Sequence, residues 1–228
     1  MKTKFGAIIV AGSGKLGGHV ASKNRAGSYM RTKVTPVNPQ SVAQGEIRGR
    51  FTTLSQGWKG LLQTERDAWN AAVSDYTRTD IFGDLRSPSG ANLYQRLNNI
   101  LVLCGESALD TPPLPQAVPA VVLSAITVTV GTPAFTVAFA PTVPVDTSVM
   151  VFCTAPLSAG KAFVKSEYRL TTILVAAKAT GESILTAYQA KFGSVGEIGQ
   201  KLFCKFVPVN LNTGQTGGTS SASVITAA

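Results

Sequence analysis

A single histidine, three cysteines without a Cys-x-x-Cys spacing, and no acidic residue before Glu46 leave this 228-residue chain short of the groups that most catalysts use. A zinc-type centre is therefore not expected. The cysteines, Cys104, Cys153 and Cys204, are an odd number in a chain large enough to fold without staples. They read as reduced, buried small hydrophobes of a protein made in the cytosol. A Cys153–Cys204 bridge between two strand-like runs is the alternative. Charge is scarce too, at 14% of residues against roughly 25% in an average globular protein. A surface so poor in charge reads as one that partners cover. No apolar run approaches the ~20 residues of a membrane span. The run FGAIIV is short and soon followed by Lys15, so a secretion signal is not expected either.

What is present is unevenly placed. Hydrophobic residues make up 44% of the chain, enough for a buried core, and the net charge is +9. Residues 1–50 hold nine basic side chains against one acid, Glu46, so nearly all of the excess sits in the first fifth. Residues 1–40 read as a glycine-rich extended arm. FGAIIV is expected as a strand, HVASKN and SYMRTKVTPVNP as extended pieces joined by a turn at Arg25-Ala26-Gly27. Pro36 and Pro39 exclude helix there. An arm with so little core of its own is ordered by what it lies against. Lys15, Lys23, Arg25, Arg31 and Lys33 are its candidate contacts, with Tyr29 available to stack.

From residue 41 to 105 the hydrophobic period becomes helical. Val42, Ile47, Phe51, Leu54, Trp58 and Leu61 form one face of a first helix, in which Gly45, Gly49 and Gly57 either weaken it or permit close packing. A second helix is expected from Thr64, with Asp67 at the capping-box position. The polar stretch TRTDIFGDLRSPSG connects to a third, capped by Ser89, with Leu93, Leu97, Ile100, Leu101 and Cys104 inward and Gly105 at its end. Residues 106–119, with four prolines, read as a linker. Beyond them ITVTV, AFTVAFA, SVMVFCTA, EYRLTTILVA, QKLFCKFVPV and SASVITA read as strands separated by turn signals. GESILTAYQAKFG reads as a short helix with Ile184, Leu185, Tyr188 and Phe192 on one face. The expected fold class is α+β: a β-hairpin arm, a three-helix unit, and an immunoglobulin- or fibronectin-like sandwich over 120–228. The buried tryptophan of antibody domains is missing, since Trp58 and Trp69 both precede this region.

The motifs that would carry chemistry are incomplete. Gly12-Ser13-Gly14-Lys15-Leu16-Gly17 is a literal Gly-x-Gly-x-x-Gly, but no adequate helix follows and the acid expected some 20 residues later is absent. A P-loop fits no better, because Ile9 and Leu16 occupy its first glycine and its Ser/Thr positions. His19 has no obvious Ser or Cys partner, and Asp75, Asp80 and Asp84 read as solvated loop residues or turn formers. No cofactor and no enzymatic activity are expected. The basic arm fits either an acidic protein surface or nucleic acid. The protein partner is preferred, since extended glycine-rich hairpins suit strand addition to another subunit's sheet.

The helical stretch also carries a resemblance. LSQGWKGLLQTERDAWNAA, preceded by NRAGSYMRTKVTPVNPQS and followed by SGANLYQRLNNILVLCG, resembles a group of small proteins encoded in tailed-bacteriophage and prophage genomes. These share a basic glycine-rich N-terminus ending in a P-x-N-P stretch, then a W-x-x-L-x-x-x-x-R-x-x-W-like helix pair, matched by Trp58, Leu61, Arg66 and Trp69. Many continue into an immunoglobulin-like domain. The resemblance covers residues 12–105. It implies a virion component, synthesised in the host cytoplasm, whose partners are capsid, portal, neck or tail subunits or further copies of itself. It also implies that Trp58 and Trp69 are core residues locking two helices.

Overall fold

The protein is described by a computed structural model covering residues 2–4, 12–25, 27–175 and 181–228. The strand expected over residues 5–10, the middle residue of the turn at 25–27 and the last residue of the run ending at 176 lie outside the described residues. The chain is mixed α and β, with four α-helices and antiparallel sheets among the described residues, compatible with an α+β class. No helix among the described residues is long and apolar enough to cross a membrane. Two compact units form, one from residues 1–49 and 77–87, the other from 50–76 and 88–228.

The first unit is built on a three-stranded antiparallel sheet, β1 (Gly14–Leu16), β2 (His19–Asn24) and β3 (Gly27–Thr32), in that spatial order. The turn between β1 and β2 is Gly17-Gly18, and Gly17 takes φ 56°, a conformation open to glycine at no steric cost. Lys2 forms a bridge beside Tyr29 on the far edge. A second hairpin, β4 (Arg78–Thr79) and β5 (Leu85–Arg86), belongs to the same unit. Between them the chain runs without regular structure over residues 33–41 and then enters helix α1 (Val42–Gly60).

The second unit holds the hydrophobic core. Helices α2 (Gln63–Ala71) and α3 (Gly90–Cys104) pack together with the end of α1 around Leu54, Leu61, Trp69, Leu93, Tyr94 and Leu97. Trp58 and Trp69 both lie against the Tyr94 ring, at centroid distances of 5.5 and 5.4 Å, so α3 is the element on which they meet. Arg66 donates a hydrogen bond to the Lys59 carbonyl, satisfying an orphan acceptor at the end of α1. Ser89 caps α3, its Oγ accepting from the Asn92 N–H at 3.2 Å, and Gly105 closes it at φ 92°. The cap expected at Thr64 lies two residues earlier: α2 starts at Gln63 behind Leu62, whose N–H donates to the Glu65 carboxylate at 2.8 Å. A carboxylate at a helix N-terminus satisfies a free donor and opposes the dipole, so no hydroxyl cap is needed.

Residues 106–119 are tied down rather than free. Asn98, fully buried, donates from Nδ2 to the Leu109 carbonyl and accepts from the Leu109 N–H. Tyr76 Oη donates to the Pro113 carbonyl at 2.8 Å. The Gln116 N–H donates to Gln215 Oε1, fixing the end of the segment to the sheet region.

Two antiparallel sheets share the remaining core. One has the order β10 (Glu182–Ser183), β7 (Ala134–Ala140), β6 (Val122–Thr129). The other has the order β12 (Ser220–Ile225), β11 (Lys201–Asn210), β8 (Thr147–Cys153), β9 (Arg169–Leu174). Phe135, Val137 and Phe139 from the first meet Val149, Val151, Leu202 and Phe206 from the second. Each such side chain contributes about 1.5–3 kcal/mol on burial. The short helix α4 (Leu185–Phe192) lays Tyr188 on this core, and Ile184, Leu185 and Phe192 join it there. The outer face of the four-stranded sheet is covered as well, where Met150, Val207 and Val209 take Ile100, Leu103 and Cys104 of α3. Burial on both faces explains why β8 and β11 read as near-continuous apolar runs while β7 alternates. At one edge the sheets are joined by parallel pairing of Thr129 with Ala227.

Candidate interaction surface of the basic unit

Ten basic residues and three acidic ones fall in the first unit, so most of the chain's net charge is concentrated there. The pairing register decides where it points. Lys15, Val20 and Arg31 lie directly opposite one another across the three strands, and Ser22 pairs with Tyr29 two positions on. Side chains alternate along a strand, so Lys15, Tyr29 and Arg31 share one face. Lys23 pairs with Ser28 and falls on the other face, with Ala21 and Met30. Arg25 sits in the turn after β2, and Lys33 follows β3, its N–H bonded to the Gly18 carbonyl. The six residues singled out from the sequence are thus on one small sheet but are split between its two faces and its ends.

Lys15, Lys23, Arg25, Arg31 and Lys33 are exposed, and none has a carboxylate within 4 Å among the described residues. Tyr29 is half-buried. His19, Met30, Arg31 and Thr32 line an open hollow of about 310 Å³. The Gly-x-Gly-x-x-Gly run forms β1 and enters the Gly17-Gly18 turn, and no helix N-terminus follows it. Among the described residues no group of three or more His, Cys, Asp or Glu side chains is gathered to hold a metal.

The unit's carboxylates serve a different purpose. Asp80, expected as a solvated loop residue or a turn former, has a side chain only 1% exposed. It is a turn former, as its place in DIFGD suggests: Oδ1 accepts from the N–H groups of Phe82 at 2.8 Å and Asp84 at 3.2 Å. Its Oδ2 meets Lys2 Nζ at 3.5 Å and Arg86 Nε at 3.2 Å. Asp84 in turn takes Lys4 at 3.0 Å and Arg86 Nη2 at 3.4 Å, and Lys4 also lies over the Phe82 ring. Burial alone pushes the Asp80 carboxyl up. The Phe82 N–H, the Arg86 guanidinium, the Asp84 N–H and the Lys2 ammonium outweigh it and hold the pKa at about 2. This five-residue clasp closes the 77–87 hairpin onto the chain's first residues. Sequence reasoning missed it, although two aspartates spaced around a glycine turn, with Arg86 two positions further on, were its visible signal.

Apolar groups are exposed on the stretch that follows the sheet. Every residue from 31 to 43 is exposed. Val34, Val37 and Val42 are 65%, 87% and 79% accessible. On α1 itself Ile47 and Phe51 are also exposed, and Leu54 is the helix's fully buried side chain. The apolar face expected along the whole helix is therefore covered only in its second half. Neither a family model, nor a curated protein, nor a solved structure matches this chain.

Proposed function

We propose that the chain is a structural protein of a tailed-bacteriophage virion (a capsid decoration, head–tail neck or tail component) that docks on other virion subunits through its basic N-terminal unit. The observation that carries this reading is the exposed run from residue 31 to 43 with its uncovered valines, flanked by cations that have no carboxylate partner among the described residues. Such a segment gains buried area only when a partner covers it, so its ordering is coupled to assembly. The resemblance over residues 12–105 points the same way. The region after residue 120 is read as an immunoglobulin- or fibronectin-like sandwich, supported by three- and four-stranded antiparallel sheets around one core. It would project from the particle or bridge to neighbours. The protein has no catalytic task in this scheme.

The second reading is a nucleic-acid-binding or packaging accessory, favoured by cations without a carboxylate partner among the described residues. A phosphate backbone would be served best by cations gathered on one face, and the register divides Lys15 and Arg31 from Lys23. That division favours a protein lattice, which can engage both faces. The deciding experiment is quantitative mass spectrometry of gradient-purified particles, with the wild type beside a Lys15→Glu/Arg31→Glu variant. A fixed copy number for the wild type, reduced in the variant, is expected. Absence of the wild type from particles overturns the reading. Binding to nucleic acid that falls linearly in log salt, with a slope of about −0.9 per phosphate contacted, would establish the second instead.

A further inference from the structure

We propose that Cys153 and Cys204 form a latent dithiol that closes to an internal disulfide on contact with a small-molecule disulfide, stapling β8 to β11 across the middle of the four-stranded sheet. The two residues are direct cross-strand partners, their Sγ atoms are 3.4 Å apart, and both side chains are fully buried. Adjacent to them the Thr154 N–H donates to the Phe203 carbonyl at 3.1 Å. In an antiparallel ladder bonded and non-bonded pairs alternate, so Cys153 and Cys204 occupy a non-bonded pair. Its Cα atoms lie about 4.5 Å apart, within the ~4.4–6.8 Å that a disulfide spans. Closure therefore needs side-chain rotation and no change of register. Neither residue has any part in the docking surface, so the inference stands apart from the proposed function.

The pair is also chemically graded. The Cys204 thiol, hydrogen-bonded to Cys153, favours the Cys153 thiolate; burial opposes this and the Thr171 hydroxyl supports it, with a net lowering. Cys204 is correspondingly raised, by the same hydrogen bond and by burial. Cys153 ends β8 whereas Cys204 lies within β11, so local opening reaches Cys153 first and it is the attacking sulfur. Its thiolate displaces one thiol from the small disulfide, giving a mixed disulfide. The Cys204 sulfur then attacks Cys153 and expels the second thiol. Two S–H bonds are lost and one S–S bond forms; the two electrons reduce the small disulfide to two thiols, which carry off the two protons. Full burial makes access the slow step. Cys153 is the last residue of β8, but Thr154 beyond it is still bonded to Phe203 and Tyr188, so the reagent enters only when those bonds open locally. Cys104 is an internal control: it is half-buried on α3 against the other face of the sheet, and its thiol is pushed up to about 11 by burial and Glu106.

The test uses the full-length reduced chain, incubated with oxidised glutathione in sub-denaturing urea, then mapped by non-reducing peptide mass spectrometry and unfolded in urea. A linked peptide joining Cys153 to Cys204, one remaining free thiol at Cys104 and a raised urea midpoint are expected. Cys104→Ala should behave identically, and Cys153→Ser should show neither the link nor the gain. Glutathione adducts without the linked peptide overturn the proposal. So does retention of all three thiols in urea where amide exchange shows the end of β8 opening, or a linked form whose midpoint is unchanged or lower.

Discussion

Trp69 donates its indole N–H to the carbonyl of Asp110, forty-one residues away, at 2.7 Å. The contact joins the most completely buried aromatic of the helical region to the proline-rich segment, with Asn98 and Tyr76 making parallel bonds to Leu109 and Pro113. Three side chains thus supply what a segment without strand or helix pairing cannot supply itself: partners for its backbone groups.

Trp69→Phe removes the donor and part of the ring while leaving the Asp110 carbonyl in place. The expected loss is about 2–4 kcal/mol, combining an unmet acceptor with a partial cavity. Asn98→Leu, which strands both backbone groups of Leu109, is expected to cost at least as much. Urea denaturation gives the magnitudes. Limited proteolysis should show new cleavage between residues 106 and 119 in both variants, which a change confined to the helices would not produce.

The Asp80 clasp makes the first unit acid-sensitive. Its folded pKa of about 2 lies below the ordinary value of 3.8, so the carboxylate's stabilisation is fully present above pH 4. It is lost as pH falls through the interval from about 4 to 2, because the folded state must then take up a proton that the unfolded chain already holds. Amide exchange of Phe82 and Asp84, corrected for intrinsic rates, should accelerate over that interval in the wild type. Asp80→Asn should begin less protected and show no such acceleration.

Two glycines of α1 should respond in opposite directions to alanine. At Gly45 an added Cβ meets nothing within 4 Å, so Gly45→Ala removes only a helix penalty and should stabilise by about 0.5–1 kcal/mol. At Gly57 the same atom would lie 2.8 Å from Tyr94 Oη. Tyr94 cannot retreat freely, since Trp58 and Trp69 hold its ring, and Gly57→Ala should destabilise by about 1–3 kcal/mol. Thermal and urea melts of the two variants check both signs.

Local chemistry was legible in the sequence. Ser89 and Gly105 delimit α3 where expected, because a hydroxyl acceptor and a left-handed glycine act within one helical turn. The unbroken apolar runs of β8 and β11 marked strands, though not that α3 would cover their second face. Features that depend on distant partners were hidden. Nothing near Asp80 shows that Lys2 and Lys4 return to it, and periodicity could place Val42, Ile47 and Phe51 on one face without showing that it stays uncovered. The six basic-arm residues were legible as a group, but their division between two faces follows from the pairing registers of β1 with β2 and of β2 with β3.

The clasp has a consequence for chain cleavage. Residues 2–32 and the 77–87 hairpin stand on opposite sides of the exposed stretch 33–41, the natural place for a protease to cut. A nick there separates the two pieces covalently but leaves Lys2 on Asp80 and Lys4 on Asp84. The severed amino-terminal sheet then behaves as a bound ligand of the remainder, retained in dilute buffer and released by salt.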